Sequence, residues 1–192
     1  MPQNEKVLVV DFGGQYNQLV ARRVRECNVY CEIVSYRVGL DAIRAQNPKG
    51  IIFTGGPNSA YLPDSPTIDP EIYNWGVPIL GICYGSQLMM HLLGGQCCKA
   101  DTREYGKTEL THTASPLFDG VPETAVYWMS HGVEVERLAP GFEIIASTDA
   151  QYPALLRETA DYPHVLYVLG SPEALGKTTL TMVGTRRMTP YG

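Results

Sequence analysis

Three short apolar runs, each ending at a glycine-bearing turn, constrain the fold of this 192-residue chain more than any other feature. Lys6–Asp11 (KVLVVD) leads into Phe12-Gly13-Gly14, Gly50–Thr54 (GIIFT) into Gly55-Gly56-Pro57, and Val77–Ile82 (VPILGI) into Cys83-Tyr84-Gly85. Uninterrupted apolar runs of this length mark strands buried on both faces of a parallel sheet. Helical patterns lie between them. From Gln15 to Cys27, the residues Leu19, Val20, Val24 and Cys27 recur at helical spacing with Arg22, Arg23 and Glu26 opposite, which predicts an amphipathic helix. Val29–Ser35 reads as a second strand, and Asp41–Gln46 as a short helix closed by Asn47-Pro48. The β-α-β-α-β order implies an α/β fold with a mostly parallel central sheet flanked by helices.

Pro63, Pro66 and Pro70 make residues 61–70 a surface loop ahead of a helical Glu71–Trp75. Gly85–Leu93 reads as a helix stopped by Gly94-Gly95. Beyond it, Lys107–Thr113, Ala125–Ser130 and Phe142–Ser147 alternate or carry β-branched residues, which predicts strands on the sheet edge or a small antiparallel layer. Neither a repeat nor a linker interrupts the pattern, so residues 1–192 are expected to form one domain, atypical from about residue 160.

Composition narrows the function classes. With 44% hydrophobic and 18% charged residues the chain has the makings of a core and not of a solvated disordered segment. Fifteen basic against twenty acidic residues leave a net charge of −5, with no basic stripe, so nucleic-acid binding has no electrostatic support. No apolar run approaches the roughly 18 residues of a membrane span, so no membrane partner and a cytoplasmic location are expected. Five cysteines without repeated spacing suit a reducing compartment, and they lack the C-x-x-C or histidine spacing of a zinc site, so no metal is expected.

The sharpest chemical signal is Gly81-Ile82-Cys83-Tyr84-Gly85, a G-x-C-x-G placed between a buried strand and a helix. It has the form of a nucleophile elbow, whose glycines permit a cramped strand-to-helix turn and whose following N–H helps hold an oxyanion. A helix N-terminus favours the thiolate, the attacking species. The alternative is that Cys83 is a small buried core residue. Gly55-Gly56-Pro57 ends a neighbouring strand on the same sheet edge, where α/β proteins bind ligands, so its N–H groups are either an oxyanion cradle or part of an ordinary turn.

The stretches V-V-D-F-G-G-Q-Y-N-Q-L-V-A-R-R-V-R-E, T-G-G-P-N-S, G-V-P-I-L-G-I-C-Y-G-S-Q-L-M-M, T-R-E-Y-G and Y-W-M-S-H-G, in this order over about the first 150 residues, closely resemble the class I glutamine amidotransferase domain of the GMP synthase family. The resemblance implies a flavodoxin-like fold and hydrolysis of glutamine through a cysteine thioester. Cys83 would be the nucleophile. Gly56 and Tyr84 would supply oxyanion N–H groups, Gly55, Pro57 and Gln87 would meet the substrate, and Ser130, His131 and Gly132 would take its amino-acid end. Arg103-Glu104-Tyr105-Gly106 matches the family's R-E-Y-G, either as a turn or at a partner interface. In the family the ammonia passes to an ATP-pyrophosphatase module that uses ATP and Mg to turn XMP into GMP, so this domain needs no cofactor of its own but does need that partner.

The resemblance stops at the rest of the triad. Where the family has F-H-P-E, this chain reads Val168-Leu169-Gly170-Ser171-Pro172-Glu173, with Ser171 at the histidine position and Glu173 as the candidate orienting carboxylate. Val133 also stands where the family's S-H-G is followed by Asp. His91 is expected about 12 Å from Cys83 along one helix, too far to serve as base. His112 and His131 have no reason to point at sulfur, and His164 enters the expected strand at the wrong end. Residues 170–178 (GSPEALGKT) miss the phosphate-binding loop by one residue of spacing. Three readings remain open: an amidotransferase slowed by its missing base, a catalytically impaired regulatory or binding domain, and a different cysteine hydrolase built on the same elbow.

Overall fold

The computed structural model describes residues 5–147, 165–169 and 179–182. In chain order the elements are β1 (Lys6–Asp11), α1 (Asn17–Glu26), β2 (Tyr30–Ser35), α2 (Leu40–Ala45), β3 (Gly50–Phe53), a 3₁₀ helix (Pro70–Trp75) and β4 (Ile79–Ile82). They continue with α3 (Tyr84–Leu92), β5 (Gln96–His112), a 3₁₀ turn (Pro116–Phe118), β6 (Thr124–Arg137), β7 (Phe142–Ser147), β8 (Val165–Leu169) and β9 (Thr179–Met182). All described strands join one sheet, in the order β2-β1-β3-β4-β9-β8-β7-β5-β6. The half from β2 to β9 is parallel, and β8, β7, β5 and β6 extend it antiparallel.

The apolar runs are buried on both faces because strand side chains alternate. Leu8, Val10 and Phe12 of β1 and its exit, with Ile51 and Phe53 of β3, join Leu88, Met89 and Met90 of α3 in the main core. Val9 and Ile52 point the other way, onto Ala21 of α1 and Cys31 of β2. Each central strand therefore needs a helix on either side, which is what the β-α-β order supplies.

Two local expectations give way. On α1 the buried positions are Asn17 and Ala21, with Val20 and Val24 half-buried, whereas Leu19 is 47% exposed and Cys27 is also exposed. The inward stripe is thus rotated from the one read off hydrophobicity, because a small alanine lets the helix sit close on the sheet. Arg22 and Arg23 do face outward, paired with Glu26 at 3.0 and 2.7 Å. The R-E-Y-G stretch is strand, not turn: Glu104, Tyr105 and Gly106 lie within β5 opposite His131, Ser130 and Met129 of β6, after a break in register between Lys99 and Glu104. That irregularity lets β5 run on for 17 residues, longer than the pattern from Lys107 predicted.

Candidate functional site

The site forms where β1, β3 and β4 end on one edge of the sheet. Cys83 occupies the junction between β4 and α3 with φ 53° and ψ −113°, a backbone conformation that side-chain-bearing residues avoid. Its carbonyl accepts from the N–H groups of Ser86 and Gln87 at 3.0 and 3.1 Å and from the Ser86 hydroxyl at 2.6 Å, so Cys83 starts the helix while its own side chain is turned out of it.

Both flanking glycines are required by contact. A Cβ on Gly81 would fall 2.8 Å from Ser86 Cα, and one on Gly85 would fall 2.5 Å from the Phe53 carbonyl oxygen. The tight strand-to-helix bend leaves no room for either. The thiol of Cys83 is half-buried, and a Cβ built on Gly55 would stand 3.9 Å from its Sγ. The cramped strand-to-helix elbow read from the sequence is therefore present, and Cys83 is not walled into the core.

Two loops crowd around it. Thr54, at the exit of β3, is buried; its hydroxyl lies 3.0 Å from the Val10 carbonyl and accepts from Phe12 N–H at 3.3 Å, tying β3 to β1. Asp11 Oδ1 accepts from Gly13 N–H at 2.6 Å, and Asn17 Nδ2 donates to the Gly14 carbonyl at 2.8 Å. The chain between them passes so near the second loop that a Cβ on Gly14 would lie 2.4 Å from Gly55 O. Together Gly13, Gly14, Gln15, Tyr16, Asn17, Val20, Thr54, Gly55, Gly56, Pro57, Ile82 and Cys83 line a cavity of about 360 Å³, the size range of small-molecule sites.

Among the candidates, Cys83, Gly55, Gly56 and Pro57 are brought together on this cavity. Tyr84 lies directly behind it, 1% exposed, with Gly56 against its ring. Gln87 is 4% exposed one turn further along α3 and does not line the described cavity. Ser130, His131 and Gly132 sit inside β6, which runs on past the strand read from Ala125 to Ser130, and their side chains are outside the described set. Glu173, Ser171, His164 and residues 170–178 also lie outside the described residues. His91 lies on α3 with Cys83 at its start, as expected, and is exposed. His112 is buried in β5 with its ring nitrogens 3.0 and 2.9 Å from the carbonyls of Thr113 and Pro122, and it stacks on Phe118.

The role of residues 13–17 in lining the cavity was missed from sequence, although the glycine pair after β1 was a signal for it. The other thiols behave differently from Cys83. Cys97 is buried, its thiol donates to the Gln87 carbonyl at 3.5 Å, and burial, with the neighbouring Cys98 adding to it, pushes its pKa up to about 12. No two of the five cysteines form a disulfide. Among the described residues no group of three His, Cys, Asp or Glu could hold a metal, and no helix is long and apolar enough to cross a membrane.

Residues 8–165 match the family model "Glutamine amidotransferase class-I". The chain belongs to this family. A GMP synthase [glutamine-hydrolyzing] of Lachnospira eligens is 61% identical to it over 145 residues, 75% of this chain and 28% of the relative. The same enzyme of Clostridium novyi is 48% identical over 193 residues, covering 96% of this chain and 38% of the relative. The chain thus spans 28% and 38% of the length of these two relatives. A solved structure from Thermoplasma acidophilum, described as that of a GMP synthase subunit, superposes with a TM-score of 0.69 at 25% identity, over 95% of this chain and 84% of that one. A second family model, "DNA recombination-mediator protein A", matches residues 143–192. The amidotransferase match therefore ends before Ser171 and Glu173, which fall only within the second.

Proposed function

We propose that this chain is the glutaminase part of a GMP synthase, releasing ammonia from glutamine through Cys83. The observation that carries the reading is the left-handed elbow holding the Cys83 thiol at a cavity beside Gly55 and Gly56. The thiolate adds to the side-chain carbonyl carbon of glutamine, and the carbonyl π pair moves onto oxygen, faced by the N–H groups of Gly56 and Tyr84. The C–N bond then breaks, the nitrogen takes up the proton the thiol gave up, and ammonia leaves a γ-glutamyl thioester. Water cleaves that thioester, returning the thiol and releasing glutamate.

Gly55, Pro57 and Gln87 position the side chain in this reading, and Ser130, His131 and Gly132 take the amino-acid end. The ammonia serves an ATP-pyrophosphatase module that uses ATP and Mg to convert XMP to GMP, and this domain contributes no cofactor. Turnover is slow, because a missing general base costs about 10²- to 10⁴-fold and V-L-G-S-P-E occupies the F-H-P-E place.

A second reading, an impaired amidotransferase-like domain that binds glutamine and regulates a synthetase, rests on V-L-G-S-P-E standing where the family has F-H-P-E. Mass spectrometry after treatment with the chloromethyl ketone analogue of glutamine, with and without excess glutamine, separates the two alongside an ammonia-release assay. Labelling at Cys83 that glutamine blocks, with slow release abolished in Cys83→Ala, supports the glutaminase. Blocked labelling without release supports the regulatory domain, and release that persists in Cys83→Ala rejects the assignment.

A further inference from the structure

Tyr84 enters the proposed reaction through its backbone, yet its side chain makes contacts that a plain helix-start residue would not need. The ring is 1% exposed and packs at 5.6 Å against Phe12. Gly56 rests on it, since a Cβ there would stand 3.1 and 3.2 Å from Tyr84 Cγ and Cδ1. At the far end of the ring, the phenol donates to the carbonyl of Pro66. Pro66 belongs to the segment that follows Gly56-Pro57, a compact loop bonded to itself. Leu62 N–H donates to the Ser59 carbonyl and Ser65 N–H to the Leu62 carbonyl at 3.1 Å each, and the Ser65 hydroxyl donates to the Ser59 carbonyl at 2.6 Å. Ala60 and Ile68 of this loop are buried.

We propose that the Tyr84 side chain is a positioning residue for the oxyanion site: it fixes the height of Gly56 against Cys83 by supporting that glycine on its ring and anchoring the returning loop at Pro66. Two consecutive residues thus hold both sides of the reacting carbonyl, Cys83 as nucleophile and Tyr84 as the wedge that aims the opposite N–H. A buried phenol is costly to leave unpaired, so the bond to Pro66 locks the ring in place and with it the Gly55-Gly56-Pro57 turn. The inference rests on the glutaminase reading of Cys83.

The test compares two electrophiles on the intact chain. With the chloromethyl ketone analogue of glutamine, the thiolate adds to the ketone carbon and the π pair becomes an oxyanion. Sulfur then shifts to the methylene as the carbonyl reforms and chloride leaves. Iodoacetamide is attacked directly at its methylene with loss of iodide, and no oxyanion forms. Removing the hydroxyl in Tyr84→Phe is expected to slow ketone labelling of Cys83 about tenfold, a fraction of the loss seen when an oxyanion donor is removed outright. Iodoacetamide labelling, which reads the thiolate alone, is expected to stay within about twofold. Tyr84→Leu, which also removes the ring under Gly56, is expected to slow the ketone further than Tyr84→Phe does. Ketone labelling unchanged in Tyr84→Phe, or both reagents slowed in proportion, overturns the positioning role. If the ketone fails to label Cys83 in the unsubstituted chain, the glutaminase reading falls first and takes this inference with it.

Discussion

The N–H of Gly85 donates to the carbonyl of Thr54 at 3.0 Å, which seats the first turn of α3 on the end of β3. This bond ties the elbow that carries Cys83 to the turn that carries Gly55 and Gly56. The approach is so close that Gly85 has no space for a side chain: its Cβ would meet Phe53 O at 2.5 Å and Phe53 Cβ at 2.6 Å. Both are fixed parts of a central strand, so neither can swing away.

Gly85→Ala should therefore be among the most damaging single-methyl additions in the chain, costing about 3 kcal/mol in urea unfolding by overpacking against backbone. Gly39→Ala is the control, because a Cβ there meets nothing within 4 Å. Equal stability of the Gly85→Ala and Gly39→Ala variants would show that the elbow does not pack on β3 as described.

The strained backbone of Cys83 gives a prediction of opposite sign. At φ 53° and ψ −113° a Cβ is unwelcome, and glycine adopts such angles freely. Cys83→Gly should gain about 1 kcal/mol over Cys83→Ala in denaturant midpoint, while both abolish labelling by the glutamine analogue. Equal midpoints would mean that the elbow stores no strain.

Phe12 joins the core to the site floor. It is fully buried, stacks on Tyr36 at 5.6 Å, meets Phe53 edge-on at 5.4 Å, and its carbonyl lies 2.9 Å from where a Gly56 Cβ would be. Phe12→Ala should destabilise the fold by about 3–5 kcal/mol, as read by thermal or urea unfolding. A loss under about 1 kcal/mol would contradict the packing of a large side chain in this cluster.

Cys97 supplies a pH signature. Burial raises its pKa to about 12 from an ordinary value of 9.0, so above pH 9 the unfolded chain gives up this proton while the folded chain keeps it. Stability from this group is complete below pH 9 and declines as pH climbs towards 12, by up to about 1.4 kcal/mol per pH unit. Urea unfolding at pH 8, 9 and 10 (about one-unit steps chosen to bracket the onset) should show a steeper alkaline decline for the unsubstituted chain than for Cys97→Ala. Parallel curves would reject the buried, protonated thiol.

The parallel core and the elbow were legible in sequence because they depend on short-range rules. Apolar runs of strand length, glycines at a cramped turn and a cysteine between them each constrain a few adjacent residues, and all three lie where they were expected. The face of α1 was less legible, since hydrophobicity ranks Leu19 above Ala21, whereas helix-to-sheet distance is set by the smallest residue at the contact. The strand character of residues 104–106 and 131 was hidden because it comes from cross-strand pairing through an irregular register, which no local pattern encodes.

From its residues alone, then, the chain determined a parallel α/β core, a glycine-flanked strand-to-helix elbow at Cys83 and the departure from F-H-P-E at residues 168–173. Only the tertiary structure decided that residues 13–17 join Gly55-Gly56-Pro57 around that thiol, and that the Tyr84 ring lies under Gly56. The reason is distance along the chain: these contacts join segments about 30 to 70 residues apart, and such neighbours are chosen by the order and twist of strands in a sheet.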